Sequence, residues 1–215
     1  PAAPPALNSG AYAAAFNETR VLGGVDSTRR SAEQLETARF HTEPPPPSVT
    51  RNLGRFASST ANVADAARLM AMIYVSFADA IAACFEAKYH YNSWRPVDAI
   101  NRADTDNNDA TQIDAAWKPV LPTPNHPEYP AAHSCTSGSV GEALRSFYGT
   151  PNITFTWDST VTKTTRTYIG IEEFNADAGI ARLHGGMHFR FSTVAGEELG
   201  KRVAQWVTER HFGRQ

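Results

Sequence analysis

The sequence predicts an all-α protein, a helical bundle carrying one small β-hairpin. Three observations predict it. Residues 62–94 run without Pro or Gly, and Met70, Ile73, Phe77, Ile81 and Cys84 repeat at the three- and four-residue spacing of one helix face. Most other long segments between Pro- or Gly-rich stretches carry the same helical pattern. Strict alternation, rich in Thr and aromatics, occurs only over Ile153–Asp158 and Lys163–Tyr168, the expected hairpin, with Ser159–Val161 near its turn.

Taken in order, residues 1–9 form an irregular lead-in, and Ser9 caps a helix over Ala11–Leu22. Ser31–Phe40 reads as a second helix. Pro44–Pro47 reads as a rigid polyproline spacer or a short loop between helices. The long helix Asn62–Trp94 follows, and Pro96 ends it. The acidic stretch Asp104–Asp109 lacks the central Gly and final Glu of a calcium loop and is expected to be a solvated loop. Ser134–Tyr148, Glu172–Leu183 and Val194–Phe212 read as the remaining helices. The 215 residues suffice for a single domain with a substantial core.

A net charge of −2 gives no global field for nucleic acid. The apolar run Leu69–Phe85 is interrupted by Asp79, so no membrane span is expected. These residues contain no signal peptide, which a mature or trimmed protein would lack in any case, so localisation is open.

Three segments concentrate groups that bind anions or shuttle protons. In the first, the apolar face of the long helix continues into Lys88, Tyr91 and Arg95. Seven residues apart, the two cations would point the same way about 10 Å apart along the axis. A core-facing stripe that turns cationic needs an anion, either a carboxylate or a ligand. A guanidinium fork beside an ammonium suits a tetrahedral oxyanion. A structural salt bridge or a snorkelling helix end is the alternative. The second segment, His126 to Cys135, is a proline-broken turn that leaves His133 near a helix N-terminus. Free N–H groups there favour an anion, and a neutral His can act as acid or base; a simple turn cap is the plainer reading. In the third, Ala181 to Arg190, the glycines allow close backbone approach. His184 and His188 have zinc-helix spacing, but two glycines separate them and no H-E-x-x-H glutamate accompanies them, so zinc is not expected.

The order and spacing of these blocks resemble the signature shared by vanadium-dependent haloperoxidases and type-2 phosphatidic acid phosphatases. The first block, Lys88 to Arg95-Pro96, is complete. The second keeps Pro130 and His133 but has Ala131-Ala132 where the family has Ser-Gly. The third keeps Arg182 and His188, with Ala181 for the usual Ser and Ser192 where Asp is expected. The aromatic approach to Trp94-Arg95-Pro96 looks more like the haloperoxidase branch. The resemblance covers residues 62–212, the expected oxyanion-site core.

The resemblance implies a helical bundle with its site at one end of the core, and vanadate as the cofactor, with phosphate able to occupy the same site. Lys88, Arg95, Arg182 and the backbone N–H of Ala132 would hold the oxyanion. His188 would be the apical group on vanadium, and His133 the acid/base. Hydrogen peroxide and halide would be the substrates, giving a hypohalous acid equivalent. The alternatives are a soluble acid phosphatase, in which His188 attacks a phosphate ester and water cleaves the phospho-enzyme, and a non-catalytic oxyanion binder. Ser192 removes the carboxylate that would orient His188; Glu128, Asp177, Glu197 or Glu198 could substitute. Cys84 and Cys135 would become neighbours. Two buried free thiols are the expectation, and a disulfide, suited to an extracytoplasmic or secreted protein, is the alternative. Family haloperoxidases usually extend further at the N-terminus, so the chain is expected to be a fragment, a processed form or one half of a larger unit. A homodimer, or the missing N-terminal segment, would then cover an exposed apolar face.

Overall fold

Helices supply all the regular structure except one hairpin in the computed structural model, which describes residues 1–213; Arg214 and Gln215, the end of the expected 1–215 domain, lie outside the described residues. The elements are α1 (Gly10–Gly23), α2 (Ala32–Phe40), α3 (Pro45–Ser58), α4 (Val63–Tyr91), α5 (Pro96–Asn101), α6 (Ala132–Tyr148), β1 (Phe155–Ser159), β2 (Thr164–Tyr168), α7 (Ile171–His184) and α8 (Arg190–His211). The all-α class with one antiparallel hairpin is as the sequence predicts.

Local signals start the early helices. Ser9 accepts the Tyr12 N–H at the head of α1, and Ser31 forms a full capping box with Gln34 on α2. The Pro44–Pro47 spacer is corrected: Pro45, Pro46 and Pro47 form the first turn of α3. The first N–H groups of a helix have no intrahelical acceptor, so proline loses nothing there, and its fixed φ suits the turn. Val49, Leu53 and Phe56 then bury one face of α3.

The long helix is also corrected at its end. α4 stops at Tyr91, where Asn92 turns left-handed with φ 47°, and Pro96 opens α5 rather than closing α4. Lys88 and Arg95 therefore sit on different elements. The buried stripe of α4 is Leu69, Met72, Ile73, Ser76, Ala80, Cys84, Ala87 and Lys88, rotated slightly from the expected face. By length and composition alone, Val63–Asn101 could cross a membrane, with 33% of its most apolar window buried. Its buried side packs on α6 and α8.

Helices α6 and α8 meet most extensively, because glycines let their backbones touch. A Cβ on Gly200 would strike the Cys135 carbonyl, one on Gly138 the Glu197 carbonyl, and one on Gly196 the Ala131 carbonyl, 2.5 Å away. One apolar cluster joins α2, α3, α4, α6, α7 and the hairpin around Phe174; a second joins α1 and α5 to Phe189. Cys84 of α4 and Cys135 of α6, with Cα atoms 6.5 Å apart, form a disulfide, which overturns the free-thiol expectation. Asp106, expected in a solvated loop, is buried and accepts the Asn108 N–H and the Thr111 hydroxyl.

Candidate oxyanion site

The end of α4, the turn before α6 and the link from α7 to α8 meet around a cavity of about 490 Å³. Its polar wall carries Thr42, His126, His133, Arg182 and His188, with Ala132 at the head of α6. Lys88 and Arg95 do not line the cavity; they hold the layer behind it.

The link that carries His188 is fixed by backbone constraints. Gly186 sits at φ 75° with its Cα side pressed on the Gly23 carbonyl, a place for no other residue. His188 lies two residues further on and is 1% exposed. Its Nδ1 lies 2.9 Å from Glu128 Oε1, and its Nε2 lies 2.9 Å from Arg95 Nη1. A carboxylate oxygen accepts and a guanidinium only donates. The neutral ring therefore carries its proton on Nδ1 and presents a lone pair at Nε2. Burial, reinforced by Arg95, Lys88 and Arg182, holds this imidazole well below its ordinary pKa.

Glu128 is the carboxylate that Ser192 lacks. Its Oε1 also accepts the Phe189 N–H at 2.9 Å, while its Oε2 is buried without a partner. Burial pushes Glu128 up to about 7, against the Phe189 bond and the charges of Lys88 and Arg95. Of the other substitutes named from sequence, Asp177 pairs with His41 and Arg166, and Glu197 with Lys201. Ser192 instead donates to the Glu128 carbonyl at 3.3 Å.

Arg95 is almost fully committed. Its Nε donates to the His126 carbonyl, its Nη1 to the Met187 carbonyl and His188, and its Nη2 to His126 Nδ1. The expectation of a guanidinium fork open to an anion thus does not describe Arg95 in this arrangement. Lys88 donates to the carbonyls of Pro127 and Glu128 at 2.8 and 3.0 Å. Arg182 is the freer cation: it donates to the His41 carbonyl and Met187 Sδ, and its buried Nε has no partner. His133 lies 3.0 Å through Nε2 from the Glu43 carbonyl, which can only accept. Its proton is therefore on Nε2, and Nδ1 is the basic atom. His133 too is held well below its ordinary pKa, mainly by burial and then by Arg182.

The electrostatics are unbalanced. Lys88, Arg95 and Arg182 are 0%, 4% and 1% exposed, and among the described residues Glu128 is the one carboxyl group buried between them. Burial lowers Lys88 to about 7, Arg95 to about 10 and Arg182 to about 9, with Arg95 adding to the shifts of Lys88 and Arg182. His126 drops to about 4 through burial, then Lys88 and Arg95. The amides of Ala132, His133 and Ser134 head α6, where no preceding turn supplies an acceptor. Surplus buried cations, an orphaned guanidinium N–H and a helix N-terminus together fit a tetrahedral oxyanion such as vanadate or phosphate.

Sequence reading named six groups; the fold brings Ala132, His133, Arg182 and His188 to the cavity and sets Lys88 and Arg95 behind it. Sequence reading missed His126, which Arg95 grips, and the Glu43 carbonyl that orients His133. A His before Pro127 in the same turn as His133 was the available signal for the first; nothing in the sequence pointed to the second.

Fold and site define a class: helical bundles with a polar cavity at one end, lined by Arg182 and three histidines and backed by Lys88 and Arg95. Residues 68–213 match the family model for the VCPO second helical-bundle domain, and the chain belongs to that vanadium haloperoxidase family. Solved structures agree. The chain is similar to the first bacterial vanadium-dependent iodoperoxidase, with TM-score 0.79, 27% identity, and coverage of 97% of this chain and 52% of that one. The apo-type bacterial vanadium-dependent chloroperoxidase gives TM-score 0.77 at 16% identity, over 99% and 52% of the two chains, a likeness of fold. The chain thus spans about half the length of these structures. A search of curated proteins finds no match.

Proposed function

We propose that this chain forms the vanadate-binding half of a haloperoxidase, which oxidises halide with hydrogen peroxide. The observation that carries the reading is the buried charge surplus, three cations against one carboxylate around a His whose Nε2 lone pair is fixed by Glu128 and Arg95. Bound vanadate would supply the Lewis-acidic centre that activates peroxide. The chain's own residues do the rest. Arg182, Lys88 and the amides heading α6 neutralise the oxyanion. His188 offers Nε2 to it, while Glu128 holds the opposite proton and keeps the ring basic. His133, neutral with Nδ1 free, takes and returns a proton at the cavity wall.

The test is halogenation of monochlorodimedone with peroxide and bromide, and iodide oxidation in parallel, with and without orthovanadate, in wild type and His188→Ala. Vanadate-dependent turnover lost in the variant is the expected result. Hydrolysis of phosphate esters without vanadate, abolished in His188→Ala, would replace this reading with a phosphatase. A folded protein that retains neither vanadate nor phosphate would overturn the oxyanion site itself.

A further inference from the structure

The cavity is far larger than a tetrahedral anion needs, and its second wall has a different chemistry. That wall is built from Pro44, Pro45 and Pro46 at the head of α3, Ile81 and Phe85 of α4, and Pro122 and Pro124 of the loop. A helix N-terminus ordinarily offers amides to an anion. Here the first three helical residues, Pro45, Pro46 and Pro47, have no N–H. The wall therefore donates no hydrogen bond where helix geometry would have placed them. Phe85 stands 5.0 Å from the His126 ring, so this apolar face begins directly beside the polar one. Both Phe85 and Ile81 are only partly buried, leaving their side chains open to a ligand. Proline rings are rigid, and packing a flat apolar group on them costs little ordering entropy.

We infer that the cavity seats an arene-sized apolar organic group against the proline–Phe85 wall, beside the bound oxyanion. The inference rests on the oxyanion reading of the polar wall, and it assigns the remaining space to an organic substrate rather than to solvent. Its class is a flat, largely apolar molecule, held next to the anion or joined to it.

Calorimetric titration of the full chain with phosphate, methylphosphonate and phenylphosphonate tests this. The three probes share the anionic head and differ in apolar bulk. Full burial of about 100 Å² of ring surface would correspond to roughly 70-fold in affinity, and ordering costs reduce that to about tenfold. The expected result is phenylphosphonate binding about tenfold tighter than methylphosphonate, in competition with phosphate. Phe85→Ala should remove most of that preference while leaving methylphosphonate unchanged; Ile81→Ser serves if Phe85→Ala does not fold. Equal affinities for the two phosphonates in wild type would overturn the inference, as would phenylphosphonate binding that saturating phosphate does not displace. Failure of all three probes to bind would instead overturn the oxyanion reading beneath it.

Discussion

Replacing Glu128 with Gln separates two roles that one carboxylate combines. The amide oxygen of Gln can still accept from His188 Nδ1 and the Phe189 N–H, so the geometry survives while the charge is lost. An anion at His188 Nε2 would stand about 6 to 7 Å from the carboxylate, a repulsion of about 2.5 kcal/mol at an effective dielectric near 20. The wild type need not bear all of it. Glu128 titrates near about 7, so it can take up a proton as the anion arrives. That proton costs about RT ln 2 at pH 7 and about 1.4 kcal/mol one pH unit higher. Glu128→Gln should therefore tighten phosphate about twofold at pH 7 and roughly tenfold at pH 8. Vanadate-dependent turnover should move the other way, falling about 10- to 100-fold, because an amide oxygen is a weaker acceptor for the Nδ1 proton than a carboxylate and leaves Nε2 less basic. Calorimetry across pH and the halogenation assay read the two effects independently. A phosphate affinity ratio that does not change with pH would refute the titration argument. Parallel loss of binding and turnover would refute the separation of charge from positioning.

Two further predictions concern stability. Between pH 7 and about 9 the anion-free protein should become more stable as pH rises. Lys88 is lowered from 10.5 to about 7, so over that window the unfolded chain binds the proton that the folded chain has lost, adding up to about 1.4 kcal/mol per pH unit. Saturating phosphate should flatten the rise by restoring charge to Lys88, and urea titrations at several pH values check both; a flat profile without phosphate would sink the argument. Breaking the Cys84–Cys135 bond, which closes a 51-residue separation, should cost up to about 4 kcal/mol by loop entropy, read as a lower urea midpoint in the double Cys→Ala variant.

What the sequence made legible was whatever lies within one segment. The helix stripe, the hairpin alternation, the Lys88–Arg95-Pro96 block and the Arg182–His188 spacing are all local patterns. What it hid depends on tertiary placement. Glu128 and His188 are 60 residues apart, and only the glycine-mediated contact of α6 with α8 and the turn before α6 brings them to 2.9 Å. The prolines of α3 were misread because their character as a spacer in isolation reverses once a buried face at Val49, Leu53 and Phe56 pulls the following residues into helix. The cysteines were ambiguous for the same reason, since pairing is a property of the α4–α6 crossing.

The placement of Arg95 bears on how the site accepts an anion. From spacing alone, Arg95 looks like a hand extended to the ligand. In the fold it binds its neighbours, and its Nη1 donates to Nε2 of His188, the residue that the family resemblance gives to vanadium. These statements are compatible, because an arriving oxyanion changes the acceptors on offer. An anionic oxygen is a stronger acceptor for a guanidinium than an imidazole nitrogen is. Arg95 can transfer Nη1 from His188 to that oxygen while its bonds to the His126 and Met187 carbonyls stay in place. A guanidinium bond to a neutral acceptor would be exchanged for one to an anionic acceptor, and Nε2 would be left free. Arg95 meanwhile satisfies the lone pair of a buried, neutral His, as a buried acceptor requires.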